Sequence, residues 1–366
     1  MQKQYSWIDY VKKYAPKAIM VVLAAIILSS IIARIIMYVK ARSLWLDEAM
    51  LAESIVTRNL WDLVASPLVN TQTAPIGYLY VVKLLGILFG YTEGVLRSFS
   101  FFALCGTLIV EAVLLKKAYK LNTLFTLLAV CITATLGIYM RYSNELKPYM
   151  GDTFFMLIIM FVYYLFTIKK LKLPALTAIY SATLLFSSSA LFFITAVYIV
   201  EIGQAFINKN WKYGRNIAIS GFIIFIVFLV NYIYWLMPVA KNPDMIDYWT
   251  NQAFSFSLSK AKMINNIHLI DNLFNQFHQY INIKPLYMIL AFIGFIVSLV
   301  KKHRHSYVVG ISLILLLIAS NFEKYPIQVR LVLFIFVPII IYAVYGISSL
   351  YFLRRGGGGG VMGKFI

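Results

Sequence analysis

The chain has 366 residues, of which 61% are apolar and 13% charged, with a mean hydropathy of +0.80 and a formal net charge of +19. This composition excludes a water-soluble globule and implies an all-α polytopic membrane protein, with several helices of the roughly 20 apolar residues that cross a bilayer. The excess of 33 Lys and Arg over 14 Asp and Glu does not call for nucleic acid, because the basic residues fall in short clusters between apolar runs, where topology accounts for them.

In chain order, the apolar runs predict ten spans near residues 18–39, 94–115, 121–138, 151–168, 173–187, 189–207, 216–238, 285–300, 306–320 and 331–350. The run at 75–90 is short and carries Lys83 at its middle, where a charge at the bilayer centre costs about 2.5–3.5 kcal/mol, so it is predicted to lie in the interface. That choice puts every basic cluster on the cytoplasmic side: Lys3, Lys12, Lys13 and Lys17; Lys116, Lys117 and Lys120; Lys169, Lys170 and Lys172; Lys209, Lys212 and Arg215; Lys301, Lys302 and Arg304; Arg354, Arg355 and Lys364. One more crossing would move the later clusters to the wrong side. Arg34, near the outer end of the first span, is expected to snorkel outward. Between Lys172 and Lys209 the chain must go out and return, so Ser187, Ser188 and Ser189 are expected at the turn of a tight hairpin; a re-entrant pair meets the same condition.

The first run lacks a small-residue cleavage site and reads as an uncleaved span with its amino end inside. Residues 1–350 read as one transmembrane domain with outer loops at 40–93 and 239–284, and residues 351–366 as a disordered cytoplasmic tail. The five glycines 356–360 offer no packing. A slippage-prone guanine tract encoding them would make this end truncated or frameshifted. Cys105 and Cys131 both fall inside spans and predict neither a disulfide nor a metal site.

The stretch RSLWLDEAM at 42–50 places Asp47 and Glu48 just beyond the first span. Trp45, Leu46, Ala49, Ala52, Val56 and Leu60 recur at helical spacing after a cap at Ser43, predicting an amphipathic helix over 44–60. Asp47 then lies in the first turn, where the helix dipole favours a carboxylate, and Glu48 points about 100° away toward other partners. Helix capping and interfacial charge would account for such a pair without any chemistry. Further on, Arg141, Glu145, Lys147, Tyr149 and Asp152 crowd one outer boundary, and Arg330 stands at the outer mouth of the last span. Arg and Lys there suit a phosphate, as a bidentate fork and a point charge, or simply anchor to membrane lipids. In the second outer loop, DMIDYWTNQAF at 244–254 offers aromatic residues to a sugar or to the interface, and His268 and His278, ten residues apart with no second ligand pair, read as solvated. His303 and His305 belong to a cytoplasmic basic cluster.

The order of these segments resembles the GT-C glycosyltransferases, in particular glycosyltransferase family 39 and its bacterial relatives of the protein O-mannosyltransferase and lipid A aminoarabinose transferase type. The resemblance rests on LWLDEA after the first span, APIGYLYVVKLLGILFG at 74–90, GVLRSFSFFALCGTLIV at 94–110, IYMRYSNELKPYMGDTFF at 138–155, LFSSSALFF at 185–193 and EKYPIQVRLVLFIFVPIII at 323–341, and covers most of the chain. It implies a GT-C-like bundle of about ten transmembrane helices with interfacial helices in the first outer loop. The implied activity is transfer of a sugar, with inversion, from a polyprenyl-phosphate donor to a hydroxyl of a lipid, glycan or protein acceptor on the outer face of the inner membrane. By the same resemblance Asp47 is the catalytic base with Glu48 beside it, Arg141, Lys147 and Arg330 bind the donor phosphate, and Glu145 or Asp152 is the second acidic residue, at the acceptor. The chemistry suits these residues, since a hydroxyl attacking a sugar carbon needs a carboxylate to take its proton, whereas lipid phosphate departs as a stable anion without an acid. A lipid-phosphate donor needs no nucleotide-diphosphate metal site, so no cofactor is expected, although relatives of the oligosaccharyltransferase kind use a metal. One departure is that Thr73, Ala74 and Pro75 stand where relatives carry His-Pro-Pro or Lys-Pro, with Gln72 as a neutral substitute donor. The alternatives are a transporter or lipid-linked-glycan flippase, with Glu111 and Glu201 as proton-coupling sites, or a surface-glycan polymerase.

Overall fold

In the computed structural model, residues 7–40, 42–237, 249, 252–277 and 284–355 are described, and among them the only regular structure is helical. Seven segments are long and apolar enough to cross a bilayer: Tyr14–Lys40, Glu93–Lys117, Tyr149–Thr167, Ala190–Ile207, Trp211–Tyr234, Arg304–Asn321 and Leu333–Phe352. The chain is an integral membrane protein. The remaining three of the ten expected spans fall on shorter apolar helices, Thr123–Thr135, Leu173–Leu184 and Pro285–Val300, so length alone supports seven crossings. The run over 121–138 is cut short because Leu136 turns extended (φ −61°, ψ 122°) and starts a second helix in a new direction.

The helices at the ten expected spans are α1 (Trp7–Lys40), α5 (Glu93–Lys117), α6 (Thr123–Thr135), α8 (Tyr149–Thr167), α9 (Leu173–Leu184), α10 (Ala190–Ile207), α11 (Trp211–Asn231), α13 (Lys284–Val300), α14 (Arg304–Asn321) and α15 (Phe336–Arg355). Outside them lie α2 (Leu46–Thr57), α3 (Asp62–Ala65), α4 (Ile76–Phe89), α7 (Gly137–Tyr142) and α12 (Lys260–Phe274). The last helix runs to Arg355, five residues into the expected tail, while the glycine run lies outside the described residues.

Side-chain chemistry at the helix ends explains these limits. Thr92, Asn122 and Asn210 cap the starts of α5, α6 and α11 by accepting from Val95, Phe125 and Tyr213 N–H. At the opposite ends, Lys120, Lys169, Lys209 and Lys302 take the left-handed conformation, with φ of 54°, 59°, 52° and 57°. The N–H of the residue after each reaches back to close the helix, as in Lys170 to Leu165 O (2.9 Å) and His303 to Ser298 O (3.1 Å). The clusters expected to face the cytoplasm therefore also place positive charge at the negative ends of the helix dipoles.

The main apolar core runs through α5, α6, α8, α9, α10, α14 and α15. A smaller one, of Leu51, Ile55, Leu63, Tyr78, Leu79, Val82, Leu96 and Leu146 among others, lies beneath the first outer loop and binds α2, α3 and α4 to the head of α5. Lys83, placed in an interfacial helix by the sequence, is buried there; its ammonium donates to Val56 O at the end of α2 (3.1 Å) and stands over the Tyr91 ring. The expected turn at Ser187–Ser189 joins α9 to α10 and docks on the start of α4 through Gly77 N–H to Leu185 O (2.7 Å).

Arg34 does not snorkel. It is fully buried and donates to Ser30 O (3.2 Å), Ser30 Oγ and Ser143 Oγ (3.1 Å), while Ser30 Oγ donates to Ala134 O (2.6 Å). Its partners lie on α1 itself and on the loop after α7, so the charge turns inward, with Nε and Nη1 paired and Nη2 buried without a hydrogen bond among the described residues.

Helices α13 and α15 cross at Gly294 and Gly346, where a Cβ on Gly294 would collide with Tyr342 O and one on Gly346 with Leu290 O. Gly294→Leu is expected to cost about 1–3 kcal/mol or more by forcing these backbones apart, seen as a lower midpoint of thermal unfolding in detergent. An unchanged midpoint would contradict the close crossing.

Candidate active site

Helix α2 starts at Leu46, two residues later than expected, because Glu48 rather than Ser43 supplies the cap. Trp45 N–H donates to Glu48 Oε2 (3.3 Å) and Glu48 N–H to Trp45 O (2.9 Å). Glu48 is wholly buried. Its carboxylate receives Arg97 Nε (2.8 Å) and Nη2 (2.7 Å) as a bidentate pair and Leu146 N–H (2.7 Å), and Arg97 Nη1 also donates to Arg42 O (2.7 Å). Glu48, expected beside Asp47 in the catalytic work, thus has both oxygens occupied and shut off from solvent. The pair locks the start of α2, the head of α5 and the loop 143–148 into one unit. Arg97 was missed as a site residue, and its signal was a lone cation inside an apolar run.

One position earlier, Asp47 faces the other way, with its side chain 22% exposed. Lys147 Nζ lies 3.0 Å from Oδ1 and Arg330 Nη1 3.4 Å from Oδ2, and Gln72 Nε2 donates to Oδ1 (3.2 Å). Lys147 Nζ also donates to Gln72 Oε1 (2.8 Å), so Gln72 bridges Lys147 and Asp47. Arg330 is steadied by Gln328 Oε1 (2.7 Å) and by the Trp249 ring 5.3 Å beneath its guanidinium. Trp249 belongs to the aromatic segment of the second outer loop; His278 and residues 238–248 lie outside the described residues. Burial pulls the Lys147 ammonium below the ordinary lysine range, with Asp47 pulling the other way. A carboxylate, two cations and a neutral amide thus meet at one opening, where an anion can compete for the cations.

The remaining expected residues divide. Arg141 does not join the Asp47 group; it pairs with Glu145 (Nε–Oε1 2.9 Å), as does Arg42 (Nη2–Oε1 3.6 Å). Glu145 is buried, which pushes its carboxyl up while Arg141 draws it down. Asp152, in the first turn of α8, is buried against the α9–α10 turn and accepts from Ser187 Oγ (2.5 Å). Of the two acidic candidates, Glu145 shares its loop with Lys147 and Asp152 faces the hairpin. Of the carboxylates suited to a carrier, Glu111 is buried with Thr133 Oγ1 at 2.9 Å, and Glu201 is held by Tyr163 (2.6 Å), Tyr213 and Arg304 (3.3 Å). Among the described residues no group of three His, Cys, Asp or Glu is placed to hold a metal ion, and Asp47, Glu48 and Glu145 are each paired with a cation. Carboxylates already held by cations do not fit a divalent cation.

No family model matches the chain, and no curated protein matches it in sequence. Among the solved structures that match it in three dimensions are these two. One is the oligosaccharyltransferase AglB from Archaeoglobus fulgidus, in complex with an inhibitory peptide and a dolichol-phosphate, at 14% identity and a TM-score of 0.51 over 97% of this chain. The other is ArnT from Cupriavidus metallidurans bound to undecaprenyl phosphate, at 14% identity and a TM-score of 0.52 over 90% of this chain. The shared fold is the GT-C fold. The chain spans just over half of these proteins, 53% and 59% of their lengths.

The buried ion pair makes a sharp demand on this GT-C bundle. Removing one partner, as in Arg97→Ala, strands a buried charge and is expected to cost about 3–5 kcal/mol, whereas Glu48→Gln with Arg97→Gln together costs less than the two single changes summed. Thermal unfolding of the purified variants measures the cycle, and additive losses would show that the pair is not coupled.

Proposed function

We propose that the chain is an inverting glycosyltransferase that moves a sugar from a polyprenyl-phosphate donor to an acceptor hydroxyl, at the extracytoplasmic face of the inner membrane. The observation that carries this reading is the partly open Asp47 carboxylate held between Lys147 and Arg330. The GT-C fold and the lipid phosphates named with its two structural neighbours support the substrate class, and the lysine-rich ends of α5 and α8, opposite Asp47 along those helices, support the outward orientation.

Without donor, the two cations neutralise Asp47. When a lipid-linked phosphate enters, Lys147 and Arg330 shift to its oxygens, and Asp47 loses its partners just where a base is needed. An acceptor hydroxyl oxygen then attacks the anomeric carbon as the bond from that carbon to the phosphate oxygen breaks. The bonding pair leaves with the phosphate, stabilised by Lys147 and Arg330, and the hydroxyl proton passes to Asp47. Attack opposite the leaving group inverts the sugar. Glu48 and Arg97 hold Asp47 in register, and Gln72 spans Lys147 and Asp47.

In proteoliposomes with a radiolabelled polyprenyl-phosphate sugar, Asp47→Asn is expected to reduce transfer by about 10²–10⁴-fold with carrier binding retained. Undiminished transfer would remove Asp47 as the base. Because the Lys147 ammonium is held below the ordinary lysine range, it loses its proton at a lower pH than a solvated lysine, and carrier affinity should fall on raising the pH through that point. Lys147→Arg keeps its charge and should move the fall to higher pH; identical profiles would separate Lys147 from the phosphate.

A further inference from the structure

Three cations were expected to form one phosphate cradle, yet the fold separates them into two. Lys147 and Arg330 face Asp47, while Arg141 is joined by Arg42 on Glu145. Arg42 and Arg141 have side chains 58% and 57% exposed, and the carboxylate they share is 1% exposed. Both converge on the same oxygen, Glu145 Oε1. One carboxylate balances one guanidinium, so the group carries a surplus positive charge facing solvent, with two planar forks of which only Arg141 Nε and Arg42 Nη2 have a side-chain partner among the described residues.

Neither arginine is adrift. The Arg97 guanidinium pins the Arg42 carbonyl (2.7 Å), and Arg34 pins Ser143, two residues beyond Arg141 (3.1 Å). The Arg141 guanidinium packs on the rings of Tyr142 (5.3 Å) and Trp45 (5.9 Å). Trp45 is two residues from Asp47, and Glu145 is two residues from Lys147, so this second group adjoins the first. A pair of like charges held side by side on a fixed backbone is preorganised for an anion, because the repulsion is already present before the ligand arrives.

We infer that Arg42 and Arg141, anchored by Glu145, form a second phosphate-binding subsite beside the Asp47 centre. Its ligand is a phosphate group at the lipid surface, borne either by the acceptor or as the second phosphate of a diphosphate carrier. The inference rests on the transferase reading for its setting, but its test reads binding alone.

The full chain in phosphatidylcholine nanodiscs is titrated with undecaprenyl phosphate, with undecaprenyl diphosphate, and with dihexanoylphosphatidate added over saturating undecaprenyl phosphate. The double variant Arg42→Gln, Arg141→Gln is compared with the unaltered chain, after thermal unfolding confirms an unchanged fold. A diphosphate preference of about tenfold or more that the variant loses places the carrier's second phosphate in the subsite. Phosphatidate binding weakened about tenfold in the variant, with both carriers bound as before, places an acceptor phosphate there. Either result upholds the subsite, and Arg42→Lys with Arg141→Lys should restore part of the affinity. Equal affinities of the variant and the unaltered chain for all three probes overturn it. Failure of undecaprenyl phosphate to bind either protein would count against the proposed donor, while phosphatidate, added alone in that case, still decides the subsite.

Discussion

The candidate site of this protein is organised around the contact between Glu48 and Arg97. Two charges removed from water at the edge of a membrane are stable only when their geometry is close and every remaining donor and acceptor is met. Here the carboxylate takes two arms of the guanidinium, the Leu146 amide and the Trp45 amide, and the third arm takes a backbone carbonyl at Arg42. The contact draws together the chain after the first span, the head of α5 and the loop ahead of α8, which are far apart in sequence. Asp47, Lys147, Arg42 and Glu145 all hang from those three segments, so their relative positions are fixed before any ligand arrives.

Around that fixed point, cations outnumber carboxylates. Asp47 meets Lys147 and Arg330, and Glu145 meets Arg42 and Arg141. This surplus of positive charge stands apart from the basic clusters that close the far ends of the helices. Local excess of this kind is costly in self-repulsion and is relieved by an anion.

Much of the fold was legible in the sequence because membrane helices announce themselves through apolar length and through the placement of lysines. The shorter helices α6, α9 and α13 also fall where spans were expected, but their lengths were less legible, as where Leu136 turns extended and ends α6 early. At the site, Asp47 and Glu48 stood out as an acidic pair, and the opposite faces of a helix correctly gave them separate partners. What sequence could not supply was the identity of those partners: Arg97 lies 49 positions from Glu48 and Arg330 lies 283 from Asp47. The outward snorkel expected of Arg34 failed for the same reason, because Ser143, its acceptor, comes near only after the bundle has closed.

The four lysines in left-handed turns carry a further implication. An L-residue in that conformation costs about 1–2 kcal/mol relative to the right-handed one, a strain that glycine at the same place would avoid. The chain accepts that cost at Lys120, Lys169, Lys209 and Lys302, all in clusters expected to face the cytoplasm. Glycine there would ease each bend but erase a charge read during insertion, so thermal robustness and fidelity of orientation pull these sites in opposite directions.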